Sequence, residues 1–420
     1  MRMSDSMDKR EFDGGNPQQD APRRVEKKRI WTRRRLLWLG IVAAALLAVV
    51  AVSLLWQRGT FDGLRRSVIY ARAEKDENGC AQLYQYAADR EYRFVSLSGS
   101  LAAASNSRIL LMGEDGQVRY SESILFTNCT VTGNGKWAAV YDVGGKEIYV
   151  LDAQGEVYRL TLDGNILAAA LNPGGYLAVT VNTSGYKASV EVYDPKGEKV
   201  FAFHSGDQFL MTAAVSADSR QMAAVTMGQE DGSFVSSLAL YRLGREERYA
   251  ECLLPENAVV YDLGAVGGSY CAVMETGLQF VTTGGKLAGS YSYDGGYLHR
   301  CSLGGDGYAA LLLGRYKSGS QGRLVTVDSQ GRELASLDID EEVMSLSAAG
   351  KYVAVLYQDH LTIYDKDLQE YAVLKDVSAA GAGRMRGGGA AGGVGWGAGG
   401  PRRRHRVGGG IRGERGVNAP

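Results

Sequence analysis

The chain carries four histidines, His204, His299, His360 and His405, and five cysteines, Cys80, Cys129, Cys252, Cys271 and Cys301. Metal and nucleophilic chemistry need such residues at set spacings, and those spacings are absent. No histidine pair brackets a glutamate as on a zinc-protease helix, no Gly-x-Ser-x-Gly elbow presents a serine, and no Walker loop cradles a phosphate. No Cys-x-x-Cys pair offers a metal knuckle or a redox couple, and an odd count leaves at least one thiol without an intramolecular partner. A bond such as Cys80 with Cys129 stays open. Each histidine reads as a surface or loop residue, and Cys271 reads as a small hydrophobe inside a strand. The GDGYAA stretch at Gly305 has the outline of a dinucleotide loop, but it joins strands and opens no helix, so it reads as a turn. The acids of DIDEE from Asp338 and of YDKD from Asp365 lack the sharp-turn glycine and the ligand register of a calcium loop, so they read as solvated hairpin tips. The sequence therefore assigns no catalytic, metal or cofactor-binding residue, and no cofactor is expected.

The elements that would position any site are far more legible. A turn residue, a bulky residue, one or two small residues and then Val or Leu recur in strands ending at Ala104, Val140, Val179, Val225, Val273, Leu311 and Val355, spaced 36 to 48 residues apart. That is the period of a propeller blade, a sheet that cannot bury its faces alone. One unit is complete between Cys129 and Gly164. There TVTGNG, KWAAVYD, KEIYVLD and GEVYRLTLD read as four successive strands bounded by Gly, Asn and Asp. The turn before the fourth strand repeats as Asp152–Gly155, Asp194–Gly197 and Asp328–Gly331. In it the Asp bonds its own backbone and the Gly accepts a positive φ, which closes a hairpin with a bulge. The small residues of the second strands, Ala139, Ala178, Ala223, Ala272, Ala309 and Ala354 among them, let neighbouring sheets approach closely near an axis. A two-sheet sandwich has no need of such a period. The expected fold is all-β, a seven-bladed β-propeller, or eight blades with the eighth incompletely closed, after one N-terminal transmembrane helix.

EIYVLDAQGEVYRL, SVEVYDPKGEKVFAF, GGYLAV and AGKYVAV resemble the repeats of WD40-like and quinoprotein-like propellers from about Tyr92 to Asp376. The whole layout is similar to a family of uncharacterised, single-pass membrane-anchored propeller proteins of Gram-positive, mostly clostridial bacteria, a resemblance that implies no known activity. Two departures matter. The repeats have no Trp-Asp pair, and they lack the tryptophan that follows the Gly of quinoprotein repeats, which disfavours pyrroloquinoline quinone.

Before the repeats, Leu36 to Trp56 is an uncharged run of 21 residues. At about 1.5 Å per helical residue it matches a hydrocarbon core of roughly 30 Å, and it is longer than the apolar core of a cleaved signal peptide. Trp38 and Trp56 fall near its ends, at headgroup level. Arg33, Arg34 and Arg35 close a basic flank, which predicts a cytoplasmic N-terminus and an extracytoplasmic repeat region. Residues 36–376 hold 28 basic and 40 acidic side chains, a net charge of −12 that repels phosphate polymers. Nucleic acid is thus excluded as a partner. Membrane lipid, through one helix, and a protein or glycan on the propeller loops remain.

The resulting plan is a basic disordered cytoplasmic tail (1–35), a signal anchor (36–56), a linker (57–78), a propeller (79–378) and a Gly/Arg-rich disordered tail (379–420). The last segment has the composition of a GC-rich gene read out of frame, and it has too few apolar residues to repay ordering. Gly79 to Leu97 is expected to supply the N-terminal contribution to ring closure. The expected function is a binding or scaffold module at the cell surface. The alternatives are a sensory ectodomain of a membrane signalling complex, or a hydrolase or lyase whose site is scattered over several blades.

Overall fold

The computed structural model describes residues 92–113, 117–230, 232–319 and 321–375, the backbone of 380–386 and 390–395, and the isolated positions Val42 and Leu46. Alternating β-branched and aromatic residues between Gly-, Asp- and Asn-bearing turns form seven four-stranded antiparallel sheets, each in chain order. Blade 1 comprises β1 (Arg93–Leu97), β2 (Ser100–Ser105), β3 (Arg108–Met112) and β4 (Val118–Ser123). Blade 2 comprises β5 (Cys129–Gly133), β6 (Ala138–Asp142), β7 (Glu147–Leu151) and β8 (Glu156–Thr161), as the sequence predicts. Blade 3 holds β9 (Asn165–Leu171), β10 (Leu177–Asn182), β11 (Ala188–Tyr193) and β12 (Lys199–Ser205). Blade 4 holds β13 (Phe209–Val215), β14 (Gln221–Glu230), β15 (Ser233–Arg242) and β16 (Arg248–Leu253). Blade 5 holds β17 (Val260–Val266), β18 (Ser269–Met274), β19 (Gly277–Thr282) and β20 (Leu287–Ser292). Blade 6 holds β21 (Tyr297–Ser302), β22 (Tyr308–Gly314), β23 (Gly322–Asp328) and β24 (Glu333–Ile339). Blade 7 holds β25 (Ser345–Ala349), β26 (Tyr352–Leu356), β27 (His360–Asp365) and β28 (Glu370–Lys375).

First strands of neighbouring blades lie against one another, whereas fourth strands alternate exposed and half-buried residues at the rim. The first strands therefore line the axis of a seven-bladed β-propeller. The small residues of the second strands have the packing role their type suggests. Ala139, Ala223, Ala272, Ala309 and Ala354 are at most 1% exposed. Their strands mesh with the next blade: Ala102 and Ala104 of β2 with Ala138 and Val140 of β6, and Ala178 of β10 with Met222 and Ala224 of β14. Six apolar clusters of this kind join blades 1 through 7 in sequence.

The seventh junction differs. Phe94, Leu101 and Met112 of blade 1 form one cluster and Tyr352, Leu356 and Ile363 of blade 7 form another, each buried but not shared. Between them lies a two-stranded antiparallel sheet, β29 (Ala380–Arg386) and β30 (Ala390–Gly395), with β29 against β1, β25 and β26. This pair stands where an eighth blade would begin, inside the stretch whose composition suggested an unstructured tail.

Residues 33–35, Trp38 and Trp56 lie outside the described residues. Of the apolar run only Val42 and Leu46 are described, both helical. Among the described residues no helix is long and apolar enough to cross a membrane.

Candidate functional site

Because each blade is an antiparallel meander, its first-to-second and third-to-fourth hairpins fall on one face of the disc. The starts of the first strands, the second-to-third hairpins and the crossings between blades fall on the other. The first face is closed. Asn134 donates from its side chain to the Asn172 carbonyl, and Asn172 donates in turn to the Ser216 carbonyl and the Ser219 hydroxyl, both at 2.8 Å, so turns of blades 2, 3 and 4 are stitched together. The Ser98 amide donates to Gly135 across blades 1 and 2 (2.6 Å), and the Asp306 amide to Gly350 across blades 6 and 7 (2.8 Å). The third-to-fourth turns are capped as their sequences predict. The Asp152, Asp194 and Asp328 carboxylates each accept two backbone amides of their own turn, and Gly197 and Gly331 adopt φ of +84° and +76°. A fourth copy begins at Asp365, where Leu368 takes φ +55° in the glycine's place and buries its side chain against blade 7. This turn is the YDKD stretch, and GDGYAA likewise forms a turn between β21 and β22.

The opposite face is open, and one feature recurs on it. In blades 3, 4, 5 and 6 the pairing of first and second strands slips by one residue close to this face, leaving Leu167, Met211, Tyr261 and His299 as the extra residue of a bulge. In blades 1, 2 and 7 the same pairing is continuous. A bulge re-aims the side chain it inserts. Here it turns three large apolar groups outward at the channel mouth, with exposures of 41% for Leu167, 44% for Met211 and 57% for Tyr261. His299 is half-buried and donates from Nε2 to the Tyr316 carbonyl (2.9 Å), which fixes the second-to-third loop of blade 6.

Around this arc stand further aromatic groups, two of them under cations: Lys187 Nζ lies 5.0 Å from the Phe209 ring centre and Lys317 Nζ 5.7 Å from that of Tyr297. On blade 4, β14 and β15 pair as far as Glu230 with Ser233, whereas β13 stops at Met227 and β16 begins its pairing at Ser237. The hairpin end thus rises above the face with both edges free, carrying the exposed Phe234. Leu167, Met211, Tyr261 and Phe234 are thus large apolar groups left in water on this face.

Just inside the mouth sits Asp262, the residue after the blade 5 bulge. Its Oδ1 accepts the Leu263 amide (2.8 Å), and among the described residues no cation lies within ion-pair distance. Burial raises the pKa of its carboxyl above the usual range against the opposing pull of that amide, although the residue remains accessible to solvent. Accessibility within dense protein surroundings is what a narrow channel gives. The charge of Asp262 also reaches Cys301 of blade 6 and Tyr141 of blade 2, both pushed up to about 12, chiefly by burial.

The remaining chemistry-bearing residues do not converge on catalysis. Ser189 Oγ and His204 Nδ1 are 2.6 Å apart, but Ser189 is fully buried and Tyr186 stacks on the imidazole at 4.7 Å, so the hydroxyl has no route to a substrate. Glu341, Asp359 and His360 come together within 4.8 Å at the edge of blades 6 and 7, a meeting the separate motifs did not reveal. Two of the three are exposed, and Asp359 bonds His360 Nδ1 at 2.7 Å, which is what a solvated hairpin tip provides by itself. Cys129, Cys252, Cys271 and Cys301 are free thiols, and Cys271 is fully buried in β18. Cys80 and His405 lie outside the described residues. The channel presents one carboxylate among the described residues, where a hydrolase or lyase needs several converging groups.

The profile of a family of unknown function, DUF5711, matches residues 78–371. The chain belongs to that family. No curated protein matches it in sequence. Among solved structures it is similar to the C-terminal WD40 domain of Sif2, with a TM-score of 0.53 at 13% identity over 79% of this chain and 99% of that one. BamB from Moraxella catarrhalis is similar at a TM-score of 0.43 and 13% identity over 70% and 91% of the two chains. AztD from Citrobacter koseri is similar at 0.45 and 12% over 68% and 86%. Likeness to Sif2 at this identity establishes the propeller fold and nothing about ligands.

Proposed function

We propose that this DUF5711 protein is a binding module that holds a protein partner at the channel mouth of blades 3 to 6. The observation that carries the reading is the set of equivalent bulges on four consecutive blades. Each bulge costs ladder hydrogen bonds and, unlike those that close the third-to-fourth turns at the rim, lies on a first strand beside the axis, where three of the four place a large apolar group in water. Tyr, Met and Phe flanked by cations are the composition of an interface centre. The test is photocrosslinking in intact cells, with a benzoyl-phenylalanine placed at Tyr261 or, on the opposite face, at Gln330. A discrete adduct from position 261 and none from 330 is the expected result. Equal labelling from both positions, or none from either, overturns the reading.

In the same reading residues 36–56 anchor the module in a membrane, Arg33, Arg34 and Arg35 stay in the cytoplasm, and the blades face outward, as in the clostridial single-pass proteins the layout resembles. The support is the length of the apolar run and the basic flank before it. Protease added to intact cells is expected to remove the blades and spare an N-terminal tag. Protection of the blades with loss of the tag reverses the topology.

A further inference from the structure

The channel mouth contains a second kind of group besides its apolar arc, and that group is not explained by folding. We infer that the mouth selects a cationic side chain, Lys or Arg, presented between apolar residues of an extended peptide segment, with Asp262 as its charge partner. This inference rests on the reading of the mouth as a protein-binding site.

The placement of Asp262 follows from register. The bulges put Ala168, Thr212, Asp262 and Arg300 at equivalent positions, one residue beyond each inserted side chain. Two of the four are small, so they leave room at this level of the channel. Arg300, on the adjacent blade, is directed away: its guanidinium donates to the Met344 carbonyl of blade 7 at 3.3 Å. Asp262 is left as an exposed acidic group bonded only to the next amide in its own chain, near enough to Cys301 of blade 6 and Tyr141 of blade 2 for its charge to reach both. Other carboxylates with packed surroundings have structural duties. Asp142 accepts the Thr127 and Asn128 amides at the crossing into blade 2, and Glu191 pairs with Lys199 at 2.9 Å. Asp262 holds no loop and pairs with no cation among the described residues.

A carboxylate set among protein groups binds an incoming cation more strongly than one projecting into bulk water, because the lower local dielectric screens the pair less. Lys and Arg suit the geometry, since their methylene stems lie along apolar surface while the charged head reaches further in. Leu167, Met211 and Tyr261 offer that surface at the rim, and the charge waits one residue deeper. The cations Lys187 and Lys317 lie over Phe209 and Tyr297, and Arg300, the cation at the level of Asp262, is engaged by the Met344 carbonyl.

A random dodecapeptide library displayed on phage and selected on the full chain tests this directly, with parallel selections on Asp262→Asn and Tyr261→Ser. The expected result is enrichment of one Lys or Arg flanked by apolar residues on the wild type. The selected peptides, made synthetically, should lose at least about tenfold in affinity for Asp262→Asn, recover it with Asp262→Glu, and lose binding to Tyr261→Ser. Selected peptides without a cation that bind wild type and Asp262→Asn alike, yet fail on Tyr261→Ser, overturn the inference while leaving the mouth as the binding site. Peptides that bind Tyr261→Ser as well as wild type, or no enrichment at all, overturn both. Near-ultraviolet circular dichroism of each variant separates loss of the fold from loss of binding.

Discussion

On one face of the disc Asn134, Asn172 and Ser216 pass hydrogen bonds from turn to turn, while on the other Leu167, Met211 and Tyr261 point into water. Both faces end the same seven sheets, so strand chemistry does not separate them. What separates them is which strands slip and where the inserted residue stands. The turn face satisfies its amides and carbonyls with short Asp- and Asn-bearing hairpins and gains stability from them. Both faces interrupt ladders, the turn face in the third-to-fourth pairing of every blade near the rim and the open face in the first-to-second pairing of blades 3 to 6 near the axis, where Leu167, Met211 and Tyr261 are left in water. On the proposed reading, stability and recognition are carried at opposite ends of the channel.

Substitutions can break that contrast, beginning with the strongest. Asn172→Ala on the turn face leaves the Tyr176 amide without its acceptor and removes the donations to the Ser216 carbonyl and the Ser219 hydroxyl. It is expected to cost about 2–3 kcal/mol in urea unfolding and to leave crosslinking from position 261 intact once folded. A cost below about 0.5 kcal/mol would remove the stitched turns from the account of stability. Asp328→Ala is expected to cost about 1 kcal/mol, through the Gln330 and Arg332 amides it no longer accepts. Burial works against the Asp328 carboxylate, but these amides and the Arg332 guanidinium outweigh it and hold the pKa below the ordinary value. The contribution is therefore complete above the unfolded value of about 3.9 and is lost as pH falls through the folded one. Wild type and variant should converge in melting temperature when titrated into acid, and a constant gap would exclude the charge.

On the open face the expected pattern inverts. Met211→Ser should change stability by no more than about 0.5 kcal/mol while lowering partner crosslinking several-fold. A large loss of stability would make Met211 a core residue instead. The smallest effect belongs to Asp262→Asn. Its folded carboxyl titrates above the unfolded one, so its stabilisation is present below about pH 3.9 and lost as pH rises through the folded value. At neutral pH the ionised group opposes folding, and the asparagine variant should melt about 1–2 °C higher. A lower melting point would show that Asp262 serves the fold.

The blades were legible because their signal is local and repeated. A bulky residue, small residues and Val or Leu appear in every second strand, for a reason common to all, the close approach of neighbouring sheets. The Asp-x-x-Gly turns were legible for the same reason, and the copy at Asp365 escaped only because Leu368 holds the left-handed position that glycine usually fills. The bulges were not legible. Leu167, Met211, Tyr261 and His299 lie 12 to 14 residues before the ends of their motifs, but Asn128 and Val343 lie 12 before theirs in blades whose pairing is continuous. The same spacing yields either outcome, because a bulge is a property of two paired strands and not of one.

By itself, then, the sequence determined the repeat, the blade and the capped turns, since each depends on residues within a few positions of one another. The tertiary structure decided which blades slip in register, that Asp262 pairs with no cation among the described residues, and that the buried faces of blades 1 and 7 pack apart with β29 between them. Those outcomes follow from which strands pair and which sheets meet around the ring, contacts between residues tens to hundreds of positions apart.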